Sequence, residues 1–280
     1  MTSEPSDFSG WCLVLRLAGP LQSWGGHSQF NRRDTRAEPT KSGIVGLLAA
    51  AQGRRRHDPI EDLLRLSFGV RVDQPGSILR DYHTVSDLRG RPLPSAAVNA
   101  KGIQKTTSPQ KLTHVTHRYY LQDAVFVAAV SGPRDVLENL RDALRSPEFP
   151  LCLGRRACPP TQPLVLSPSP EDPYALWPGT SLLDVLTRVP WAAGDAWRNS
   201  RGRDRDGTPR TGLPVTVDDP NGDDVRADVP TSFDPQRRDF TTRRVRQEWV
   251  MLTANEDADA TPEPGADGAH DPFALLGGDQ

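Results

Sequence analysis

Between Trp11 and Leu166 the main periodic segments come in one order: strand, helix, strand, strand, helix, strand. Trp11–Ala18 has the alternating, leucine-rich pattern of a strand. Over residues 42–52, Ile44, Val45, Leu48 and Ala51 recur at helical spacing, and Gly53 suits the cap beyond them. Asp58-Pro59 opens a short helix with Ile60, Leu63 and Leu64 apolar. Leu66–Val72 and Ile78–Tyr82 are predicted strands on either side of the Pro75-Gly76 turn. Arg118–Val130 is the strongest strand pattern, and Asp135–Arg145 is an amphipathic helix with Val136, Leu140 and Leu144 in register. Pro163–Leu166 closes the series. This order predicts an α+β, ferredoxin-like (RRM-like) βαββαβ domain over residues 8–166. RNA-binding domains of that layout leave one sheet face or its loops free.

The first strand breaks into a long polar loop, residues 19–40, that holds Gln22, Ser23, Trp24, Arg32, Arg33 and Arg36. A glycine turn, Thr40-Lys41-Ser42-Gly43, then starts the helix. A helix start offers unpaired N–H groups and a positive dipole end to a phosphate. The four-residue spacer and Gly-Lys-Ser/Thr order of a P-loop are missing, which argues against nucleotide hydrolysis. Thr40 or Ser42 can also serve as N-cap, and capping uses only some of the free N–H groups. Gly154-Arg155-Arg156 is a second short glycine turn, with two guanidiniums to set beside a phosphate or a chain end.

Charge is unevenly spread. The chain of 280 residues has 34 Lys and Arg against 36 Asp and Glu. Seven of those acids lie in residues 254–280, which have no Lys or Arg, so the remainder carries 34 basic against 29 acidic residues. The tail, rich in Gly, Ala, Pro and acid, has the composition of a disordered segment. From Arg89 to Leu121 there are six Lys or Arg and no acid, and Lys101, Lys105 and Lys111 fall in this stretch. Residues 85–117 lack a sustained period, and a loop that long in a compact domain is usually functional. A solvated basic face is the plainer reading of the same residues.

Catalytic clusters are weak. His114 and His117, or Cys152 and Cys158, lack the close second pair that zinc requires, so no metal or cofactor is expected. Cys158 has no partner base in sequence and suits a small buried position. Metal-free RNA cleavage could draw on His83, His114, His117, Tyr119 and Lys111 by type, but no spacing singles out an acid–base pair. No apolar run approaches the roughly 18 residues of a membrane helix. No secretory leader is visible, and three cysteines are a sparse, odd set, so a cytoplasmic location is expected. Beyond residue 167 the pattern weakens. Ser181–Thr187 is a helix candidate, residues 194–230 are loop-like, and Asp239–Leu252 is a final strand beside the basic Arg237, Arg238, Arg243, Arg244 and Arg246. A smaller β-rich lobe over 167–253 is the expectation.

Five segments together resemble the Cas-five family of RAMP proteins, in its type I-E CRISPR Cascade branch. They are Leu15–Gly25, Pro39–Leu48, Leu79–Val85, Tyr120–Phe126 and Leu153–Pro159, in family order, with looser likeness around Ser232-Phe233 and Arg238–Val250. The resemblance implies a non-catalytic subunit that grips and caps the 5′ handle of crRNA in antiviral defence. It implies a thumb over about 85–117 that meets the backbone subunit. The large subunit, and target DNA through the complex, are further implied partners. The RNA contacts would then be Gln22, Ser23, Trp24, Arg32, Arg33, Arg36 and the turn Thr40, Lys41, Ser42, Gly43. Lys101, Lys105, Lys111, His114, His117, Arg118 and Tyr119 along the insertion, and Gly154, Arg155 and Arg156, complete the set, with Trp24 or Tyr119 as stacking groups. A related type I-C branch cleaves precursor crRNA without metal, so an endoribonuclease is the alternative.

Overall fold

A computed structural model describes residues 9–26, 31–169, 171–202, 208–234 and 238–252; Arg237 and the acidic tail 254–280 lie outside them. The first strand, β1 (Trp11–Ala18), is followed by the short β2 (Leu21–Gln22) and β3 (Arg32–Arg33). Helices α1 (Lys41–Ala51) and α2 (Glu61–Leu64) lead to β4 (Ser67–Gln74). The insertion comprises β5 (Ser77–Ser86), β6 (Pro94–Val98), β7 (Gln104–Thr106) and β8 (Thr113–Gln122). The chain returns through β9 (Val125–Ser131), α3 (Arg134–Arg145), β10 (Val165–Leu166) and β11 (Trp177–Pro178). The last part holds α4 (Leu182–Arg188), α5 (Asp195–Arg201), β12 (Leu213–Asp218), β13 (Asp224–Ser232) and β14 (Asp239–Val250).

Among the described residues the main sheet runs β10-β1-β9-β4-β12-β14-β13, with β11 also paired to β1. All of its pairings are antiparallel. The central strand β9 is buried along its whole length. Alternation explains this: Phe126, Ala128 and Val130 face a core shared with Leu13, Leu15, Leu17, Ile44, Leu48, Leu137 and Leu140. Val127 and Ala129 face the other way, toward Trp177, Leu182, Val185, Leu186 and Trp191. Neither sheet face is open there: α4 and the segment around Trp191 cover the second, which leaves the loops of the two alternatives the RRM layout offers.

The covering layer is fastened by one buried ion pair. Arg71 and Asp73 have fully buried side chains, 2.6 Å apart at Nε–Oδ1. Arg71 donates to the carbonyls of Leu186, Val189 and Pro190 at the end of α4, and Asp73 accepts from the Ala192 N–H at 2.6 Å. A cation at a helix C-terminus satisfies its free carbonyls.

Three expectations change. The single strand over 118–130 is two strands, because the chain bends at Asp123 (φ 55°) and crosses from the insertion to the main sheet. The insertion is larger than 85–117: β5 and β8 pair from Ser77–Gln122 to Ser86–Thr113, with the β6–β7 hairpin beyond. The loop-like stretch 194–230 contains α5, β12 and most of β13. β12 pairs with β4, so the last strands continue the main sheet without a break at residue 167.

Candidate nucleic-acid interface

The two motifs that open the chain dock on each other. Trp24 is fully buried, and a side chain at Gly43 would meet its ring at 2.7 Å. Its Nε1 donates to Gln22 Oε1 at 3.1 Å, and Gln22 Nε2 donates to the carbonyls of Leu17 and Ala124 at 2.9 and 2.7 Å. Ser23 Oγ donates to the Tyr119 carbonyl at 3.1 Å. Gln22, Ser23 and Trp24 thus join β1, the insertion and α1, and the expectation that Trp24 stacks on a base is corrected by its burial.

The start of α1 is likewise turned inward. Thr40 Oγ1 accepts from the Gly43 N–H at 3.2 Å as N-cap and lies 3.2 Å from Ser42 Oγ. The Lys41 N–H donates to Asp228 Oδ2 at 2.9 Å, and Lys41 Nζ pairs with Asp218 at 2.9 Å. Arg243 bridges both acids, 2.7 Å from Asp228 and also in contact with Asp218. Burial alone would raise the Asp228 carboxyl, but the Arg243 guanidinium and the Lys41 N–H outweigh it and hold it below its ordinary value. The phosphate seat expected at Thr40–Gly43 is therefore filled by the protein's own carboxylate, in a balanced cluster of two cations and two anions.

The second glycine turn is a clasp. Gly154 (φ +88°) packs so closely that a Cβ would stand 1.9 Å from the Ser23 carbonyl oxygen. Only glycine fits such a backbone conformation and approach. Arg155 Nη1 donates to the Tyr119 carbonyl at 3.3 Å, and its Nη2 to those of Arg33 and Asp34 at 2.7 and 3.2 Å, with the guanidinium 5.0 Å from the Tyr120 ring. Arg155 ties three segments together; Arg156 stays exposed. Burial raises the Cys158 thiol against the pull of Arg155, as suits the buried residue expected.

What remains outside lies along one strand pair, with Arg32, His117 and Tyr119 on one face and Arg33 and Arg118 on the other. β3 runs parallel to β8, with Arg32 opposite His117 and Arg33 opposite Arg118. Arg32 lies 5.1 Å over the Tyr119 ring and pairs with Asp34. Arg36 is exposed and pairs through its backbone with Trp24. Lys101, Lys105 and Lys111 are exposed at the far end of the insertion, and His114 lies opposite Val85. Of the cleavage candidates, His83 Nδ1 is 3.3 Å from Thr116 Oγ1, and His117 meets Tyr82 edge-on at 5.4 Å. No group of three or more His, Cys, Asp or Glu among the described residues is placed to hold a metal, and no helix among them is long and apolar enough to cross a membrane.

Sequence reasoning left Arg56, Arg238 and Phe240 out of the expected contacts, although Arg238 stood in the basic cluster beside the final strand. A hollow beside α1 is lined by Gly25, Gly26, Arg36, Thr40, Ser42, Ala227, Asp228 and Phe240. Arg238 lies 5.2 Å over the Phe240 ring. Burial and the guanidiniums of Arg56 and Arg33 hold its pKa below the ordinary arginine value, and it stays a cation. The signal in the sequence was the arginine run 54–56, directly after a helix end.

Residues 12–246 match the protein family described as CRISPR-associated protein (Cas_Cas5). The CRISPR system Cascade subunit CasD of Escherichia coli (strain K12) is 37% identical over 169 residues, which cover 55% of this chain and 69% of that protein. A solved structure titled CRISPR RNA-guided surveillance complex matches at 35% identity and a TM-score of 0.61, covering 86% of this chain and 90% of that one. A second, titled Crystal structure of Cas protein, matches at 32% identity and a TM-score of 0.61, covering 87% and 98%.

Proposed function

The chain belongs to the CRISPR-associated Cas5 family, and from that premise we propose that it is a non-catalytic subunit of a type I-E Cascade complex that binds and caps the 5′ handle of crRNA. The order β10-β1-β9-β4, with α1 and α3 after its first and third strands in sequence, supports reading residues 8–166 as a ferredoxin-like unit. The β5–β8 insertion is the thumb of that reading. The observation that carries it is the β3–β8 pair, which sets Arg32 beside Tyr119 on one face and Arg33 beside Arg118 on the other, continued by an arm without acids from Arg89 to Leu121. Guanidiniums there neutralise phosphates, and Tyr119, in place of the buried Trp24, offers a ring for a splayed base. The backbone and large subunits of a cytoplasmic complex would cover the rest of the thumb, and target DNA would be met through the assembly.

Complex assembled with this subunit should retain handle-bearing RNA in preference to a scrambled RNA; equal retention would refute handle recognition. The endoribonuclease alternative predicts a discrete cut in repeat RNA incubated with the protein in EDTA, and uncut RNA eliminates it.

A further inference from the structure

The handle-binding reading leaves the acidic tail unused. Residues 253–280 hold seven acids and no Lys or Arg. Large apolar side chains are missing from 253 to 272 and then come together as Phe273, Leu275 and Leu276, directly after Asp271-Pro272. A segment that only solvates the protein has no need of that cluster; an anionic, apolar sequence fits a surface that is cationic and apolar.

The insertion carries such a surface at its far end. Leu88 is fully exposed, and Ile103 and Leu112 are also exposed. The Leu93 N–H donates to the Lys111 carbonyl at 2.8 Å, and Ser86 faces Thr113 across β5 and β8, so the chain around Leu88, Arg91, Lys111 and Leu112 converges. Arg91, Lys101, Lys105 and Lys111 are exposed and form no ion pair among the described residues. Trp249 and Met251, at the root of the tail, are exposed too, but Arg246 on that strand is already held by Asp219 and Glu248.

Topology brings the tail within reach. β14 pairs antiparallel with β12, and β12 with β4, so Val250 lies at the same edge of the sheet as Gln74, where β4 runs into the insertion. Two strand spacings, about 10 Å, separate those ends. The 21 positions from Leu252 to Phe273 span roughly 25 Å as a coil and ~70 Å extended, against about 33 Å for the ten residues of β5. The tether makes the contact intramolecular, so a few ion pairs and a small apolar area suffice.

We propose that the tail docks on the far end of the insertion of its own chain, with Phe273, Leu275 and Leu276 against Leu88 and Leu112, and Asp267 and Asp271 against Arg91 and Lys111. In the free subunit the tail screens this tip from stray polyanions, and a better-matched partner displaces it on assembly. The docking does not depend on the arm's holding crRNA.

The test uses the full chain, dilute and free of RNA, with the photoreactive p-benzoylphenylalanine in place of Phe273. Intramolecular crosslinks are expected in peptides containing Leu88 or Leu112, and about 0.5 M salt should reduce them. Leu275→Ala with Leu276→Ala should tighten binding of scrambled RNA by the free chain roughly threefold or more, the factor by which an occupied tip lowers the competent fraction. That variant keeps the net charge, so its gain reports docking alone, and both positions lie beyond β14, outside the core. Asp267→Asn with Asp271→Asn should reduce the crosslinks as salt does. Crosslinks between two chains, crosslinks confined to the peptide of Trp249 and Met251, or none at the tip would overturn the docking. Tip crosslinks with an unchanged affinity of the leucine variant for scrambled RNA would overturn the screening.

Discussion

The start of α1 and the strip along β3 and β8 carry similar side chains and are built oppositely. At the helix start, Lys41 and Arg243 are balanced by Asp218 and Asp228, and Trp24 closes over Gly43. On the strip, Arg32, Arg33 and Arg118 stand along one strand pair at the surface, beside Tyr119. One region uses its cations to join α1 to β12, β13 and β14. The other holds three arginines beside two acids nearer the surface, Asp34 paired with Arg32 and Asp81 opposite Arg118 on β5. A basic residue near a glycine turn therefore says little until the acids brought to it from distant sequence are known.

The comparison breaks most easily at its buried half. Asp218→Ala removes the acceptor of Lys41, Arg243 and the Phe68 N–H together, and should cost about 3–5 kcal/mol in chemical denaturation. Trp24→Ala should cost a similar ~3–5 kcal/mol through the cavity it leaves. Neither should alter the salt slope of RNA retention per folded molecule. An RNA defect without a stability loss in either variant would contradict the division between the two regions.

Gly154→Ala comes next, at about 1–3 kcal/mol for the backbone alone, with displacement from Ser23 added. Because Arg155 fixes the Arg33 and Tyr119 backbone, this variant should also weaken handle retention, and so it probes where the two regions touch. A smaller effect is set by pH. The Asp228 carboxyl is lowered from its ordinary 3.8, so its contribution to stability is complete above that value and disappears as pH falls through the lower folded value. Asp228→Asn should flatten the acid limb of a stability–pH curve and leave the limb above pH 7 unchanged. The smallest expected effect on folding is that of Lys101→Ala, Lys105→Ala and Lys111→Ala together. The melting temperature should hold while RNA retention loses salt sensitivity; an unchanged slope would make these lysines a solvated face.

Much of the scaffold was legible. Trp11–Ala18, the α1 segment and Asp135–Arg145 carry unbroken apolar periods, and each forms the element expected within a residue or two. β12 was hidden although Leu213, Val215 and Val217 alternate toward one core, because Asp, Gly, Arg and Pro surround that short pattern. The break at Asp123 was hidden by continuous apolar character on both sides. The interface was legible only in part: Arg32, Arg33, Arg118 and Tyr119 fall on one strand pair that no local period announces, and the burial of Trp24 and Lys41 depends on Gly43, Asp218 and Asp228. Those partners lie 19 to 187 positions away, and no local pattern records them.

The most direct measurement is the salt dependence of handle-RNA retention by assembled complex carrying Arg32→Gln, Arg33→Gln and Arg118→Gln. The account predicts a slope lower by roughly 2, about 0.7 for each phosphate left without its arginine, with the complex still assembled and the subunit's melting temperature unchanged. A slope equal to that of the wild-type complex would contradict it.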